Sequence, residues 1–354
     1  MKSISIKSAI PLRVEKMLYF TVCVISLLTA GVNDGWAEVR EDNGNWKKHP
    51  IPDAAQVEDV AFDSLGNKWL ATNHGLYKFD GTTWTNYNTM NSPIADDFLR
   101  DIDIDSEGAV WIATSEAISR FDGKNWTSHD LKDLGFRNSG ASGVHCDDIG
   151  NTWLYGQSKG ICRFNGEKWQ VFEKQDNGSR VGSVRCLTSD CDGVLWMATG
   201  KGLCSFDGSR WMLYDTENSE IADNGIRDIA IAVNGDIWIA HGRIGVSRFD
   251  GKQWTVYKKA FNELLSEKAF GIEADEAGNV WVLCEGTHVS KSCGLCKFDG
   301  SQWTTYLTPR LTSDVTSGST RVTSMGVDTR NALWFGEFMG LSEYVPESIE
   351  RAED

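Results

Sequence analysis

Three arginines stand at one repeated position in the sequence, and their chemistry suits an anionic ligand. Arg100, Arg185 and Arg227 each lie eleven residues before a tryptophan of a recurring series. Guanidinium groups that face a shared opening can bind a carboxylate or a sulfate through paired hydrogen bonds. The alternative is that each arginine pairs with a neighbouring carboxylate, such as Asp101 or Asp228, or with a backbone carbonyl. We predict that the three arginines bind a ligand, and the alternative stays open.

Two histidines and one glutamate complete the set of candidate ligand-binding residues. His74 and His241 fall in predicted turns, and Glu337 follows the last tryptophan of the series by three residues. Histidine beside a carboxylate can transfer protons or bind a metal. However, no two histidines have a close ligand spacing such as H-x-x-x-H, and no nucleophile elbow, phosphate loop or EF-hand motif is present. We therefore predict no catalytic residue, no metal site and no cofactor.

The cysteines are expected to pack in the core rather than to form disulfides. Cys162, Cys204 and Cys296 occupy matching positions of the repeat. Facing sheets lie about 10 Å apart, whereas a disulfide needs Cα atoms less than about 7 Å apart. The best candidate pair is Cys284 with Cys293, and the sequence does not decide whether this disulfide forms.

The elements that must position these residues are marked by two series of tryptophans. The string Phe-Asp-Gly-x-x-Trp recurs, and its copies begin at Phe79, Phe121, Phe206, Phe249 and Phe298, with a variant at Phe164. An upstream series consists of Trp69, Trp111, Trp153, Trp196, Trp238, Trp281 and Trp334. Successive members of this series are 42 or 43 residues apart, except for a final spacing of 53. Self-similarity at this period is the signature of a repeat architecture.

Each repeat is predicted to form four short strands. In the first complete unit, apolar runs around Val60, Trp69, Leu76 and Trp84 are separated by turn signals, among them Asp80-Gly81. Asp-Gly between apolar runs is a strong hairpin signal, because glycine tolerates positive φ. Four strands in about 42 residues match one blade of a β-propeller, whose apolar faces are covered only by neighbouring blades.

The seventh blade is predicted to close with a strand from the other end of the chain. The last unit ends near Tyr344 without an outer tryptophan strand, whereas Asn45-Trp46 precedes the first complete unit. Pairing these segments removes an open strand edge. We predict an all-β, seven-bladed β-propeller with four antiparallel strands per blade and an N-terminal strand that completes the last blade.

The repeats resemble a known family, the two-component regulator propeller repeats. The likeness is carried by Asp105-Ser106-Glu107-Gly108-Ala109-Val110-Trp111-Ile112-Ala113-Thr114 and by lead-ins such as Asn91-Ser92-Pro93-Ile94-Ala95-Asp96, and it recurs seven times. Such propellers usually form the periplasmic sensory half of bacterial hybrid histidine kinases. The resemblance implies ligand or partner sensing, and we expect no kinase part in this chain.

The amino-terminal segment is predicted to be an export signal. Four basic residues, Lys2, Lys7, Arg13 and Lys16, precede the apolar run 17–30, and Gly35-Trp36-Ala37 is similar to a cleavage site. We predict a signal peptide at 1–37, a propeller at 38–348 and a tail at 349–354, in a periplasmic or secreted protein without a transmembrane segment after signal removal. The 354-residue chain has a formal net charge of −15, which disfavours nucleic acid as a partner.

The leading functional hypothesis is a sensor-type binding module. Its partner would be a small molecule, a glycan or a protein on the loop face, and the sequence does not identify which. The first alternative is a purely structural or surface interaction module without a small ligand. The second alternative is a propeller lyase or hydrolase, although we expect binding rather than catalysis.

Overall fold

A computed structural model of the chain describes residues 38–41, 46–136, 140–156, 160–173, 181–259, 264, 266–284, 294–307, 322–338 and 340–346. The predicted signal peptide, and Cys293 of the candidate disulfide, lie outside these residues. No described helix is long and apolar enough to cross a membrane.

The described residues form seven four-stranded blades, to one of which a further strand is added. Two strands precede the first complete blade: β1 (Glu38–Glu41) and β2 (Trp46–His49). The blades from one to seven begin with β3 (Val57–Phe62), β7 (Asp101–Ile104), β11 (Gly143–Cys146), β15 (Val184–Ser189), β19 (Ile226–Ile231), β23 (Ala269–Ala274) and β27 (Val322–Val327). Their second strands are β4 (Lys68–Thr72), β8 (Val110–Ala113), β12 (Thr152–Tyr155), β16 (Leu195–Thr199), β20 (Ile237–His241), β24 (Val280–Cys284) and β28 (Leu333–Glu337). Their third strands are β5 (Gly75–Phe79), β9 (Ala117–Phe121), β13 (Ile161–Phe164), β17 (Gly202–Phe206), β21 (Gly245–Phe249), β25 (Gly294–Phe298) and β29 (Gly340–Tyr344). The outer strands of blades one to six are β6 (Trp84–Tyr87), β10 (Trp126–Asp130), β14 (Trp169–Phe172), β18 (Trp211–Tyr214), β22 (Trp254–Tyr257) and β26 (Trp303–Leu307). One turn of 3-10 helix spans Pro52–Ala54.

The predicted closure of the ring is confirmed. Strand β2 is the outer strand of blade seven and pairs antiparallel with β29, so that Trp46 lies opposite Tyr344 and His49 opposite Leu341. The Trp46 ring contacts Phe335 and Tyr344 at centroid distances of 5.2 and 4.9 Å. The amino-terminal segment therefore joins the first and last parts of the propeller through one sheet.

A fifth strand on blade six was not predicted. Strand β1 pairs in parallel with β26, with Glu38 opposite Thr304 and Glu41 opposite Leu307. This addition covers the outer edge of β26, which would otherwise present unpaired backbone groups to solvent. Four residues without a repeat motif give no sequence signal for such a pairing.

A carboxylate fixes the inner tryptophan in six of the seven blades. The indole N–H donates to an aspartate six residues earlier, at distances of 2.7–3.1 Å. In blade five this aspartate is replaced by Ala232, and Trp238 Nε1 has no hydrogen-bond partner among the described contacts. The nearby Asp236 accepts a hydrogen bond from Arg248 Nε at 2.7 Å. In blade two the equivalent bond runs from Arg120 Nε to Asp105.

The core lies between neighbouring blades, where the tryptophans and third-strand residues of facing sheets meet. In one such cluster Trp238 packs against Phe298 and Trp303 of the next blade. Cys162 and Cys204 are fully buried in clusters of the same kind, as predicted for packing residues. This packing holds the first strands around a central channel.

Candidate functional site

The first strands surround a central cavity of about 640 Å³. Its wall includes residues from all seven blades. Seven acidic side chains line it: Asp59, Asp101, Asp103, Asp228, Glu273, Glu276 and Asp328. Among the described residues on this wall, none is lysine or arginine. The channel is therefore a concentrated acidic environment within an already acidic protein.

Several of these carboxylates accept hydrogen bonds from backbone N–H groups at the exposed edges of the innermost strands. Asp101 Oδ2 accepts a hydrogen bond from the Val144 backbone N–H of the next blade at 2.8 Å, and Asp103 Oδ2 accepts one from Cys146 N at 2.8 Å. Asp228 makes the equivalent bond to Ile272 N at 3.0 Å. An innermost strand has no sheet neighbour towards the channel, so these bonds pair backbone donors that would otherwise depend on water.

Asp59 and Asp101 form a carboxyl pair between blades one and two. Their side chains are hydrogen-bonded to each other, and the Tyr155 hydroxyl donates to Asp101 Oδ2 at 3.0 Å. Burial, together with the charge of Asp101, raises the pKa of Asp59 well above its usual value. Burial also raises the pKa of Asp101. Like charges that share a site disfavour ionisation of the second carboxyl group, which is the direction of both pKa shifts.

Tyr155 reaches this pair because the facing first strand carries a glycine. A Cβ at Gly143 would lie 2.2 Å from the Tyr155 hydroxyl and 2.1 Å from Asp101 Oδ2. At the position of Tyr155, blades one, two, four and five have alanine. Blade three therefore combines a small residue on its first strand with a large one on its second, which places a phenol at the channel wall.

A second carboxyl pair lies at blades five and six. Burial raises the pKa of Asp228 to about 6. Burial and the nearby charge of Asp228 raise the pKa of Glu273 well above its usual value. Unlike Asp228, Glu273 has no hydrogen-bond partner among the described contacts. Glu273 is half-buried on the channel wall, so its carboxyl group can contact a ligand.

Uncharged groups separate the two pairs along the wall of blades three and four. Burial and the charge of Asp101 raise the pKa of Tyr155 well above its usual value. Burial and the charge of Asp228 do the same for the Cys186 thiol. Both groups are therefore neutral at neutral pH. The same part of the wall also carries His145, whose Nδ1 lies 3.2 Å from Asp103 Oδ2 and whose Nε2 lies 2.8 Å from Ser189 Oγ.

None of the three arginines predicted from the sequence lines the central cavity, and the smaller described cavity includes only one of them. Arg185 lines a separate cavity of about 350 Å³ with Thr199 and Asn224. Arg227 lies against Gly242 of its own blade, where a Cβ would approach its Nε to 2.7 Å. The backbone N–H of Arg100 donates to Ala113 at 2.8 Å. Arg185 and Arg227 lie in β-bulges near the start of their strands.

The other predicted site residues are also separated from one another. His74 is exposed in the turn between β4 and β5. His241 is fully buried, bonds Ser247 Oγ at 2.9 Å and has its pKa lowered to about 4 by burial. Glu337 bonds the Ser342 hydroxyl and lies 3.5 Å from Lys48 Nζ. No described contact joins these three side chains to one another.

Sequence reasoning missed the channel carboxylates, although a signal was present. The position ten residues before the inner tryptophan holds Asp59, Asp101 and Asp228 in blades one, two and five. The other four blades have glycine, cysteine or serine there. A search for invariant repeat residues discards such a variable position. Comparing the blades for polar side chains on the innermost strands would have found it.

No protein-family model matches this chain, and no curated protein is significantly similar to it. Many solved structures share the fold. Virginiamycin B lyase from Staphylococcus aureus aligns at a TM-score of 0.66 and 13% identity, over 85% of this chain and 99% of that chain. The extracellular domain of a putative hybrid two-component system from B. thetaiotaomicron aligns at 0.63 and 14% identity, over 85% of this chain and 40% of that chain. A YCF48 protein bound to a D1 peptide aligns at 0.61 and 15% identity, over 88% of this chain and all of that chain.

These comparisons agree with the predicted fold and with the resemblance to sensory propellers. The chain spans less than half of the extracellular domain of the two-component system. At identities of 13–15% the likeness is one of fold. Function has to be argued from the side chains of this chain.

Proposed function

We propose that this protein is a sensor-type binding module whose central channel binds a small organic cation. The observation that carries the proposal is the acidic cavity of about 640 Å³, in which seven described wall residues are acidic and none is lysine or arginine. A cation placed there gains attraction from several carboxylates in a partly desolvated space. Extracellular sensor propellers among the solved structures of this fold support the sensory part of the proposal.

A thermal-shift panel tests this function against the anion-binding prediction from the arginines. The panel contains alkylammonium ions, sulfate, acetate and a neutral oligosaccharide. A ligand that binds only the folded state at a hundred times its Kd stabilises it by about 2.7 kcal/mol. We expect the alkylammonium ions alone to raise Tm. Stabilisation by sulfate, acetate or the oligosaccharide, without any effect of alkylammonium, would overturn the proposal.

The cavity beside Arg185 supports a second candidate, an anion site at the channel face. A guanidinium group with Thr199 and Asn224 nearby can bind a carboxylate or sulfate. In this case sulfate raises Tm, and Arg185→Gln removes the effect. Arg210→Gln serves as the control, since Arg210 lies in an exposed turn of the same blade.

We propose that the protein acts outside the cytoplasm. The predicted signal segment supports this location, as does the extracellular origin of the sensor propellers with the same fold. Fractionation of the source cells tests it. We expect a periplasmic or secreted protein shortened at its amino terminus, and a full-length chain in the cytoplasmic fraction would contradict the proposal.

A further inference from the structure

Three side chains on the channel wall form a chain of polar contacts across three blades. Asp103 Oδ2 lies 3.2 Å from His145 Nδ1, and His145 Nε2 lies 2.8 Å from Ser189 Oγ. Blades two, three and four each supply one member of this group, the channel triad. All three residues line the central cavity, where a small molecule would meet them. A hydroxyl, an imidazole and a carboxylate in this order are the parts that activate a serine nucleophile.

The position of the proton on the histidine ring follows from the partners of Asp103. Ile104 N donates to Asp103 Oδ1 at 2.7 Å, and Cys146 N donates to Oδ2 at 2.8 Å. Both oxygens are therefore acceptors, as in an ionised carboxylate, so His145 Nδ1 is the donor to Oδ2. The lone pair of the neutral imidazole then lies on Nε2, which accepts the hydrogen bond from the Ser189 hydroxyl. A general base that deprotonates Ser189 needs this tautomer.

The fold does not account for the serine. Ser189 lies seven residues before the inner tryptophan, is half-buried and lines the cavity. The other six blades have apolar residues or cysteine at this position, and these side chains pack between blades: Phe62, Ile104, Cys146, Ile231, Ala274 and Val327. Packing does not require a hydroxyl group, whereas a nucleophile does.

The backbone at Ser189 suits the negative charge that develops when a hydroxyl attacks a carbonyl. Asp190 N donates to Val194 O at 3.0 Å, within the hairpin of blade four. Because successive N–H groups of a strand point to opposite sides, the N–H of Ser189 faces the channel side. The equivalent N–H in blade three, that of Cys146, faces the same side and donates to Asp103. The N–H of Ser189 is therefore placed to donate to an oxyanion on a group bonded to Oγ.

We propose that the channel triad is an esterase site, in which Ser189 is the nucleophile, His145 the general base and Asp103 the residue that positions His145. This activity goes beyond the proposed function and does not depend on it. Ser189 Oγ forms a bond to the ester carbonyl carbon while His145 Nε2 takes the hydroxyl proton. The bond from that carbon to the alcohol oxygen breaks, and the alcohol leaves with the proton. A water molecule then adds to the acyl carbon and gives a proton to Nε2, and the carboxylic acid leaves as this proton returns to Oγ.

The surroundings of the triad define the class of ester. The cavity of about 640 Å³ has a volume typical of small-molecule sites. Its described wall carries seven acidic side chains and neither lysine nor arginine, so it repels anions. The substrate is therefore a small carboxylic ester that is neutral or positively charged.

A fluorophosphonate probe applied to the whole chain tests the nucleophile. Such probes phosphonylate an activated serine and release fluoride, and peptide mass spectrometry locates the adduct. We expect the adduct on Ser189, none at that position in Ser189→Ala, and a labelling rate about 10²-fold or more lower in His145→Gln. Ser209→Ala is the matched control and should be labelled like the unchanged protein, because Ser209 lies in an exposed turn of the same blade. An unlabelled Ser189 in the unchanged protein, or an unchanged rate in His145→Gln, would overturn the inference.

Asp103→Asn tests the positioning role. The substitution removes the acceptor that selects the tautomer of His145, so the maximal labelling rate should fall about 10²-fold or more. The probe concentration that gives half of this rate should stay the same, since no contact with the probe is lost. Far-UV circular dichroism checks that each variant is folded. A folded Asp103→Asn variant with a lower Tm and an unchanged labelling rate would show a purely structural aspartate and overturn its assigned role.

Three 4-nitrophenyl esters test turnover and the preferred charge. The esters of acetic acid, succinic acid and 4-(trimethylammonio)butanoic acid carry a neutral, a negative and a positive acyl group. We expect kcat/KM for the neutral and positive esters to exceed that for the negative ester by about tenfold or more, and Ser189→Ala to abolish turnover. Turnover that persists in Ser189→Ala would overturn the inference. Labelling and turnover without any effect of alkylammonium ions on Tm would support the esterase and contradict the proposed cation binding, and the reverse pair of results would do the opposite.

Discussion

Removal of the Trp46 side chain is expected to weaken the closure of the propeller. Trp46 is 8% exposed and contacts Phe335 and Tyr344 on the last blade. Replacing a buried tryptophan by alanine costs about 3–5 kcal/mol, since both the transfer free energy and the packing are lost. For roughly 300 ordered residues, 1 kcal/mol corresponds to about 1.5 °C in Tm. Trp46→Ala should therefore lower Tm by about 5–8 °C.

The assay is thermal and urea unfolding followed by far-UV circular dichroism, which does not depend on the deleted fluorophore. Trp84→Ala is the control, because Trp84 holds the matching position in blade one and stacks on Phe79 at 4.5 Å. Trp84 is half-buried, so its removal should cost less, about 1–3 kcal/mol. An unchanged melting temperature for Trp46→Ala, or a smaller loss than for the control, would refute the reasoning about closure.

Three further predictions concern the carboxylates. Asp147→Ala removes the acceptor of bonds from one indole, one backbone N–H and the Asn151 side-chain amide, and should lower the free energy of unfolding by about 2–4 kcal/mol in urea titrations. The double change Ala232→Asp with Asp236→Asn restores the arrangement of the other blades and gives Trp238 an acceptor, so it should raise that free energy by about 1–2 kcal/mol, and a loss would contradict the assigned role. Burial raises the folded-state pKa of Asp228 to about 6. The folded protein is therefore most stable, as far as this group is concerned, below about pH 4, where Asp228 is neutral in both states, and it loses that stability as the pH rises through 6. The change in the free energy of unfolding caused by Asp228→Asn should therefore be more favourable at pH 8 than at pH 4. A change that is the same at both pH values would contradict the burial argument.

The fold was predictable because its determinants repeat. Tryptophans at two positions of the repeat and Asp-Gly turns define each blade, and the position of Trp46 indicated how the ring closes. Strand β1 was missed because its pairing with β26 depends on contacts between distant segments and on no repeat residue.

The channel site was less predictable, because it arises between repeats. The pairing of Asp59 with Asp101 joins two blades, and the position of Tyr155 depends on Gly143 in the facing strand. Neither relation can be read from one repeat. The predicted arginines occupy equivalent positions of the repeat. However, Arg185 lies beside a turn of blade four and Arg227 beside a turn of blade five, so each contacts its own blade.

A crystal structure of the chain grown with an alkylammonium ion tests the central claim most directly. We expect its nitrogen inside the channel, within hydrogen-bond distance, about 2.7–3.2 Å, of a carboxylate oxygen on the channel wall. A water-filled channel at saturating alkylammonium, or an ion bound only to the outer surface, would contradict the account.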